Sequence, residues 1–287
     1  MKTEIPTIDP SNPYYRKLLS LRETHQLETH EAGGLTWRYL ASGSGEAVLL
    51  LPGGLRRADS VFDSILDLEG SRRVVAVELP LAPGMAELLA GIRDILRRES
   101  IEKTAVIGRS FGGMVAQCFV RAYPELVTRL VLCHTTAPAG EQATKGVRQA
   151  RRIFRLMPAG LAARIMIRQL ETILTTGATE ESAAFWRWYL AELGASGLGK
   201  QEVLNRLELG MDALERYPFS PDDLEDWPGR VLLVLAEDDP AVPPSSREQL
   251  VGTYPRAELK LFSDGGHSAA HRHPEEYRKT IEEFLSA

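Results

Sequence analysis

The sequence predicts an α/β protein: an eight-stranded, mostly parallel sheet flanked by helices and interrupted by a helical insertion. Three observations predict it. Short continuous apolar runs recur along the chain, the first ending in Pro-Gly-Gly, as strands buried on both faces do. Segments of helical periodicity separate these runs, so successive strands lie parallel. The alternation stops over residues 139–226, where only helical periodicity remains, and then resumes.

The first two strands, "HQLETHE" and "LTWRYLASG", alternate in polarity and read as a hairpin around Gly33-Gly34. "AVLLLPGG", "RRVVAVELP", "KTAVIG", "RLVLCHT", "RVLLVLAEDD" and "AELKLFSDGG" supply the six buried strands. Between them, "SVFDSILDL", "GMAELLAGIRDILRRE" and "FGGMVAQCFVRAYP" carry helical spacing. The insertion contains "VRQARRIFRLM", "GLAARIMIRQLETIL" and "SAAFWRWYLAEL" and is too long for an ordinary connection. The expected division is a core of residues 1–138 and 227–287 with a helical cap of 139–226.

At 287 residues with 44% hydrophobic side chains, the chain can bury a full core, and its net charge of −5 gives no attraction to nucleic acid. The first twenty-five residues hold charges and prolines without an apolar signal core, and no apolar run reaches the ~18 residues that span a bilayer. A cytoplasmic protein without stable membrane insertion is expected. Cys118 and Cys133 lack Cys-x-x-Cys spacing and are expected as buried free thiols.

Chemistry concentrates at "GRSFGG", residues 108–113, between a buried strand and a helix. A serine at such an apex takes a strained backbone conformation, and Gly108 and Gly112 let strand and helix approach without Cβ clashes. The helix N-terminus behind Ser110 offers unpaired N–H groups to a developing oxyanion. A serine hydroxyl needs a base, and six histidines are available: His25, His30, His134, His267, His271 and His273.

Strand, Gly-x-Ser-x-Gly and helix together match the nucleophile elbow of α/β-hydrolases, and the chain resembles that superfamily over nearly its whole length, with a helical cap after the sixth strand. Within it, "LLLPGG", "VVAVELPLAPGMAELLAGIRDIL", "GRSFGGMVAQ" and "RIFRLMPAGL" look most like the maspardin-like branch. The family's chain order of serine, acid, histidine leaves His267, His271 and His273. His267, in "SDGGH" just past the last strand, is the expected base, with His271 and His273 expected at the surface. Asp239, before Pro240, is the expected acid, with Asp238 as its rival. The backbone N–H of Phe111 is the expected first oxyanion donor, and that of Gly54 the second, with Leu55 next. Two departures from the family pattern stand out: Pro52-Gly53 in place of His-Gly, and "ELPLAPGM" with Glu78 after the following strand.

The resemblance implies a serine hydrolase cleaving a small or medium apolar carboxylic ester through an acyl-enzyme, without cofactor or metal. The same apparatus serves thioesters, lactones and carbon–carbon bonds, and a non-catalytic binding or adaptor protein on this fold is the alternative from another class. The cap cations Lys145, Arg148, Arg151, Arg152, Arg155, Arg164 and Arg168 read as a solvated face rather than a membrane surface. Phe185, Trp186, Trp188 and Tyr189 are expected to pack the cap on the body, with one or two lining the pocket. Arg56, Arg57 and Arg109 lie close enough in sequence to offer an anion clamp, although a salt bridge facing away is expected for Arg109.

Overall fold

The computed structural model describes residues 5–137, 141–217 and 219–287, with side chains in the second span from Thr144 onward. The expected boundary between core and cap, at residues 138 and 139, lies outside the described residues. Eight strands form one sheet: β1 (Glu28–Ala32), β2 (Leu35–Ser42), β3 (Ala47–Leu51), β4 (Arg73–Val77), β5 (Thr104–Arg109), β6 (Val127–Cys133), β7 (Arg230–Ala236) and β8 (Glu258–Phe262). Their spatial order is β1-β2-β4-β3-β5-β6-β7-β8. β2 runs antiparallel to β1 and β4, and every pairing from β4 to β8 is parallel.

The parallel strands β3 to β7 are mostly apolar because both faces are covered; β8 lies at the sheet edge with Leu259 and Leu261 exposed, which corrects its expected burial. Val48, Leu50, Val74 and Ala76 point to one face, beneath α1 (Pro13–Thr24), α2 (Phe62–Leu68) and the C-terminal helix Pro274–Ser286. Leu49, Leu51, Val75 and Val77 point to the other, beneath α3 (Met85–Arg98), α4 (Phe111–Ala122) and α9 (Pro244–Thr253). Cys118 and Cys133 are buried free thiols. Helix α1 starts on a side-chain cap: Asn12 accepts from the Tyr14 and Tyr15 N–H groups, and Pro13 follows at the first helical position.

Between β6 and β7 lie α5 (Glu141–Leu156), α6 (Ala159–Thr175), α7 (Glu180–Ala195) and α8 (Lys200–Arg216). α6 packs on α7 and α5 on α8, where Arg148 pairs with Glu215 and Arg151 with Glu208. Phe185, Trp186 and Tyr189 are buried against the core face that holds Phe62. At the other end of the insertion, the Trp227 indole donates to the Pro124 and Val127 carbonyls. No helix is long and apolar enough to cross a membrane among the described residues.

Candidate active site

Ser110 follows β5 directly and opens α4 at φ 52°, ψ −118°, a conformation that costs an L-residue about 1–3 kcal/mol. Its backbone is tied on both sides. The N–H donates to the Cys133 carbonyl at 2.9 Å, and the carbonyl accepts from the Gly113 N–H at 2.9 Å and the Thr135 hydroxyl at 2.8 Å. A Cβ on Gly108 would sit 2.5 Å from the Gly112 carbonyl oxygen, and one on Gly112 would overlap the Leu51 and Pro52 carbonyls. Both glycines are therefore demanded by the packing of this turn. Among the described residues, three of the four non-glycine residues with positive φ, namely Arg56, Ser110 and His134, follow the carboxyl ends of β3, β5 and β6.

The loop after β3 lies against the serine: a Cβ on Gly53 would be 3.3 Å from Ser110 Cβ. Among the described residues, neither the Phe111 nor the Gly54 N–H is spent on another acceptor. Gly54 is overhung by Arg206 of α8, whose Nη1 would be 2.7 Å from a Cβ placed there.

Asp239 and His267 come together as expected. His267 Nδ1 lies 2.9 and 3.1 Å from the two carboxylate oxygens of Asp239. The rival Asp238 has a different task. Its carboxylate accepts from the Gly266 N–H at 2.8 Å and the Gly265 N–H at 3.3 Å, fixing the turn that presents His267. Asp239 also accepts from the Ala241 N–H at 2.8 Å. Burial opposes its charge, but hydrogen bonds from His134 and His267 outweigh that and hold the carboxyl well below the usual range.

His134 is the residue that chain order had set aside. It sits at φ 50° immediately after β6, buried, with Nδ1 3.2 Å from Asp239 Oδ2. Its ring lies 5.5 Å from that of His267 and stacks on Tyr277 at 6.0 Å. Burial pushes its pKa down, so the neutral ring donates from Nδ1 and leaves Nε2 without a partner. The signal for it was its place, one residue past an apolar strand, as Ser110 is. One ligand atom from each of His134, Asp239 and His267 lies within 4.8 Å of the others, a metal-like group. A carboxylate can only accept, so both Nδ1 atoms facing it carry protons, and neither offers a metal its lone pair.

The other two histidines fall elsewhere. His273 bonds Asp264 at 2.7 Å and is half-buried. His271 is fully buried, which corrects its expected surface position: Nδ1 meets the Ser182 hydroxyl at 2.7 Å, and the ring stacks on Tyr14 and Trp186. Burial pushes its pKa down to about 4. It joins cap to core, which its exposed-looking sequence "HSAAHRHP" conceals.

Ser110, His134 and His267 line one cavity of about 120 Å³ with Gly53, Gly54, Leu170 and Trp186. Of the three arginines offered as an anion clamp, Arg109 lines this cavity but pairs bidentately with Asp63 at 3.1 and 3.0 Å. Arg57 pairs with Glu78, and Arg56 donates to the Leu79 and Pro80 carbonyls. These three are engaged by the protein. Among the described residues Arg206, which also lines the cavity, has no such partner, and nothing in its sequence context sets it apart from the other cap cations.

A family model described as "Alpha/beta hydrolase family" matches residues 48–280. A 2-hydroxy-6-oxononadienedioate/2-hydroxy-6-oxononatrienedioate hydrolase of Burkholderia vietnamiensis is 26% identical over 205 residues, covering 70% of this chain and 67% of its own. Human maspardin is 25% identical over 222 residues, covering 76% and 68%. Among solved structures, an esterase from Exiguobacterium antarcticum superposes with a TM-score of 0.74 at 15% identity, covering 91% of this chain and 100% of its own. A meta-cleavage product hydrolase from Pseudomonas fluorescens IP01 gives 0.67 at 23%, covering 90% and 97%. At these identities the two structures establish the fold.

Proposed function

The chain belongs to the alpha/beta hydrolase family, and from that premise we propose a serine hydrolase that cleaves a small or medium carboxylic ester through an acyl-enzyme. The observation that carries this reading is the Asp239–His267 pair, at 2.9 and 3.1 Å, on the cavity that Ser110 enters from its strained turn.

Ser110 Oγ attacks the ester carbonyl carbon while His267 Nε2 takes the hydroxyl proton. Asp239 stays ionised, fixes the Nδ1–H tautomer and stabilises the imidazolium. The Phe111 and Gly54 N–H groups hold the carbonyl oxygen as it becomes an anion. The bond to the alkoxy oxygen then breaks, and the proton passes from His267 to the departing alcohol. Water attacks the acyl-enzyme, gives its proton to His267, and releases the acid as Ser110 Oγ takes that proton back. Pro52 is compatible with this scheme, because the loop contributes its donor from Gly54. The acyl chain lies along Leu170, Ile173, Leu174 and Trp186 beneath the cap. On this reading, residues 139–226 form the cap domain over a core of 1–138 and 227–287.

A series of 4-nitrophenyl esters tests the proposal. The cavity of about 120 Å³ is smaller than the ~300–1,000 Å³ of pockets for drug-sized ligands. Each of the first few methylenes should raise kcat/KM, at ~0.8 kcal/mol per CH₂, or about fourfold. The rate should then fall by decanoate, and Ser110→Ala should reduce turnover to background. A flat series would remove the capped pocket, and unchanged turnover in Ser110→Ala would remove the nucleophile. Carbon–carbon bond hydrolysis is a second reading, favoured by the similarity to the 2-hydroxy-6-oxononadienedioate/2-hydroxy-6-oxononatrienedioate hydrolase; it predicts turnover of such a substrate well above that of any ester. The non-catalytic alternative predicts turnover of none.

A further inference from the structure

Every charged group on the wall of the cavity except one is accounted for within the protein. The wall contains no aspartate or glutamate among the described residues, and its two arginines are Arg109 and Arg206. Arg109 is neutralised by Asp63 at 3.0 Å. Arg206 makes no ion pair and no hydrogen bond among the described residues, although its side chain keeps only part of its surface in water. Burial is what lowers its pKa, and no carboxylate offsets the effect.

The neighbouring Arg56 adds to this positive field. It is buried, bonded only to main-chain carbonyls, and disfavoured by the Arg206 charge, with Glu202 the acid that offsets it. A second unspent donor lies on the same wall: the Trp186 indole N–H is buried without a partner. A guanidinium with five N–H groups and an indole N–H can only donate. A site that holds unspent donors and an uncompensated cation, with no acid to close it, fits an acceptor-only group of negative charge.

We infer that Arg206 anchors a carboxylate carried by the substrate itself, so that the ester cleaved is a half-ester of a small dicarboxylic acid or a similar anionic ester. This rests on the serine hydrolase reading and names its substrate class. Arg206 is reached from the cap helix α8 and overhangs Gly54, so the anchored group lies on the cap side of the reacting carbonyl. Leu170, Ile173 and Leu174 supply the apolar part of the same wall. Placement on the cap ties substrate charge to cap position. An ester without the charge cannot form this ion pair and leaves Arg206 to water.

The test compares a pair matched in carbon number, 4-nitrophenyl hexanoate and mono-4-nitrophenyl adipate, in wild type and Arg206→Gln. A charge-assisted pair in this setting is worth about tenfold to a hundredfold. The adipate half-ester should be preferred by that factor in kcat/KM, through KM, and Arg206→Gln should erase that preference. Equal loss on both esters, expressed in kcat, would make Arg206 a third oxyanion donor and overturn the anchor, as would a preference that survives Arg206→Gln. Binding of monomethyl adipate against methyl hexanoate to Ser110→Ala, by calorimetry, reads the anchor without turnover. A tenfold preference lost in Ser110→Ala/Arg206→Gln upholds it even if no ester is hydrolysed, in which case the hydrolase reading alone fails. Equal binding of the two esters overturns the anchor.

Discussion

Two adjacent aspartates share the support of one histidine. Asp239 receives the His267 imidazole, while Asp238 receives the backbone N–H groups of the turn that presents it. Asp239→Asn should keep the fold, because the side chain is isosteric and the Ala241 N–H retains an acceptor. It should lower kcat by about 10³–10⁴, since an amide no longer enforces the imidazole tautomer. Asp238→Asn should cost far less, and matching losses in the two variants would show that the assignment is reversed. Ser110 and His267 were legible because each sits at a turn with its own signature, glycines around the serine and "SDGG" before the histidine. The choice between Asp238 and Asp239 was legible through Pro240. His134 and Arg206 were not, because what makes them notable is a partner present or missing more than a hundred residues away in the fold.

The elements that meet at the site are joined through a few buried polar contacts. The end of α6 closes on the His267 turn, where the Ser268 hydroxyl donates to the Leu174 carbonyl and the backbone of Gly266 packs on that of Thr176. Helix α7 is held by His271, whose hydroxyl partner Ser182 and stacking partner Trp186 both lie on it. Asp63 favours the charged form of this imidazole, while Arg109, Lys17 and burial oppose it, with burial the largest effect. The folded pKa of about 4 lies below the ~6.5 of an unfolded histidine. His271 therefore costs nothing above pH ~6.5, and stability is lost as pH falls from there toward 4. Between pH 7 and 4.5 the loss should reach roughly 2–3 kcal/mol in urea denaturation, beyond that of His271→Gln over the same range. Equal pH slopes in the two proteins would contradict this account of the cap joint. Helices α6 and α7 were visible in sequence through their apolar periodicity. Their attachment to His271 was not, because its neighbours along the chain are charged or small.

Across the whole molecule, the sheet was legible because parallel strands buried on both faces must be apolar at every position, as "VLLL" and "VVAV" are. The insertion was legible as an interruption of that pattern. Where it sits over the sheet was not, since cap placement depends on the contacts of α6, α7 and α8 with loops from distant parts of the chain. The central claim is that this arrangement activates Ser110. Reaction with a fluorophosphonate, located by mass spectrometry, tests it most directly, because such probes need both a base-activated hydroxyl and an oxyanion hole, each worth several kcal/mol of barrier. The account predicts stoichiometric modification at Ser110, its loss in Ser110→Ala and severe slowing in His267→Ala. A folded protein that leaves Ser110 unmodified after hours with excess probe would contradict it.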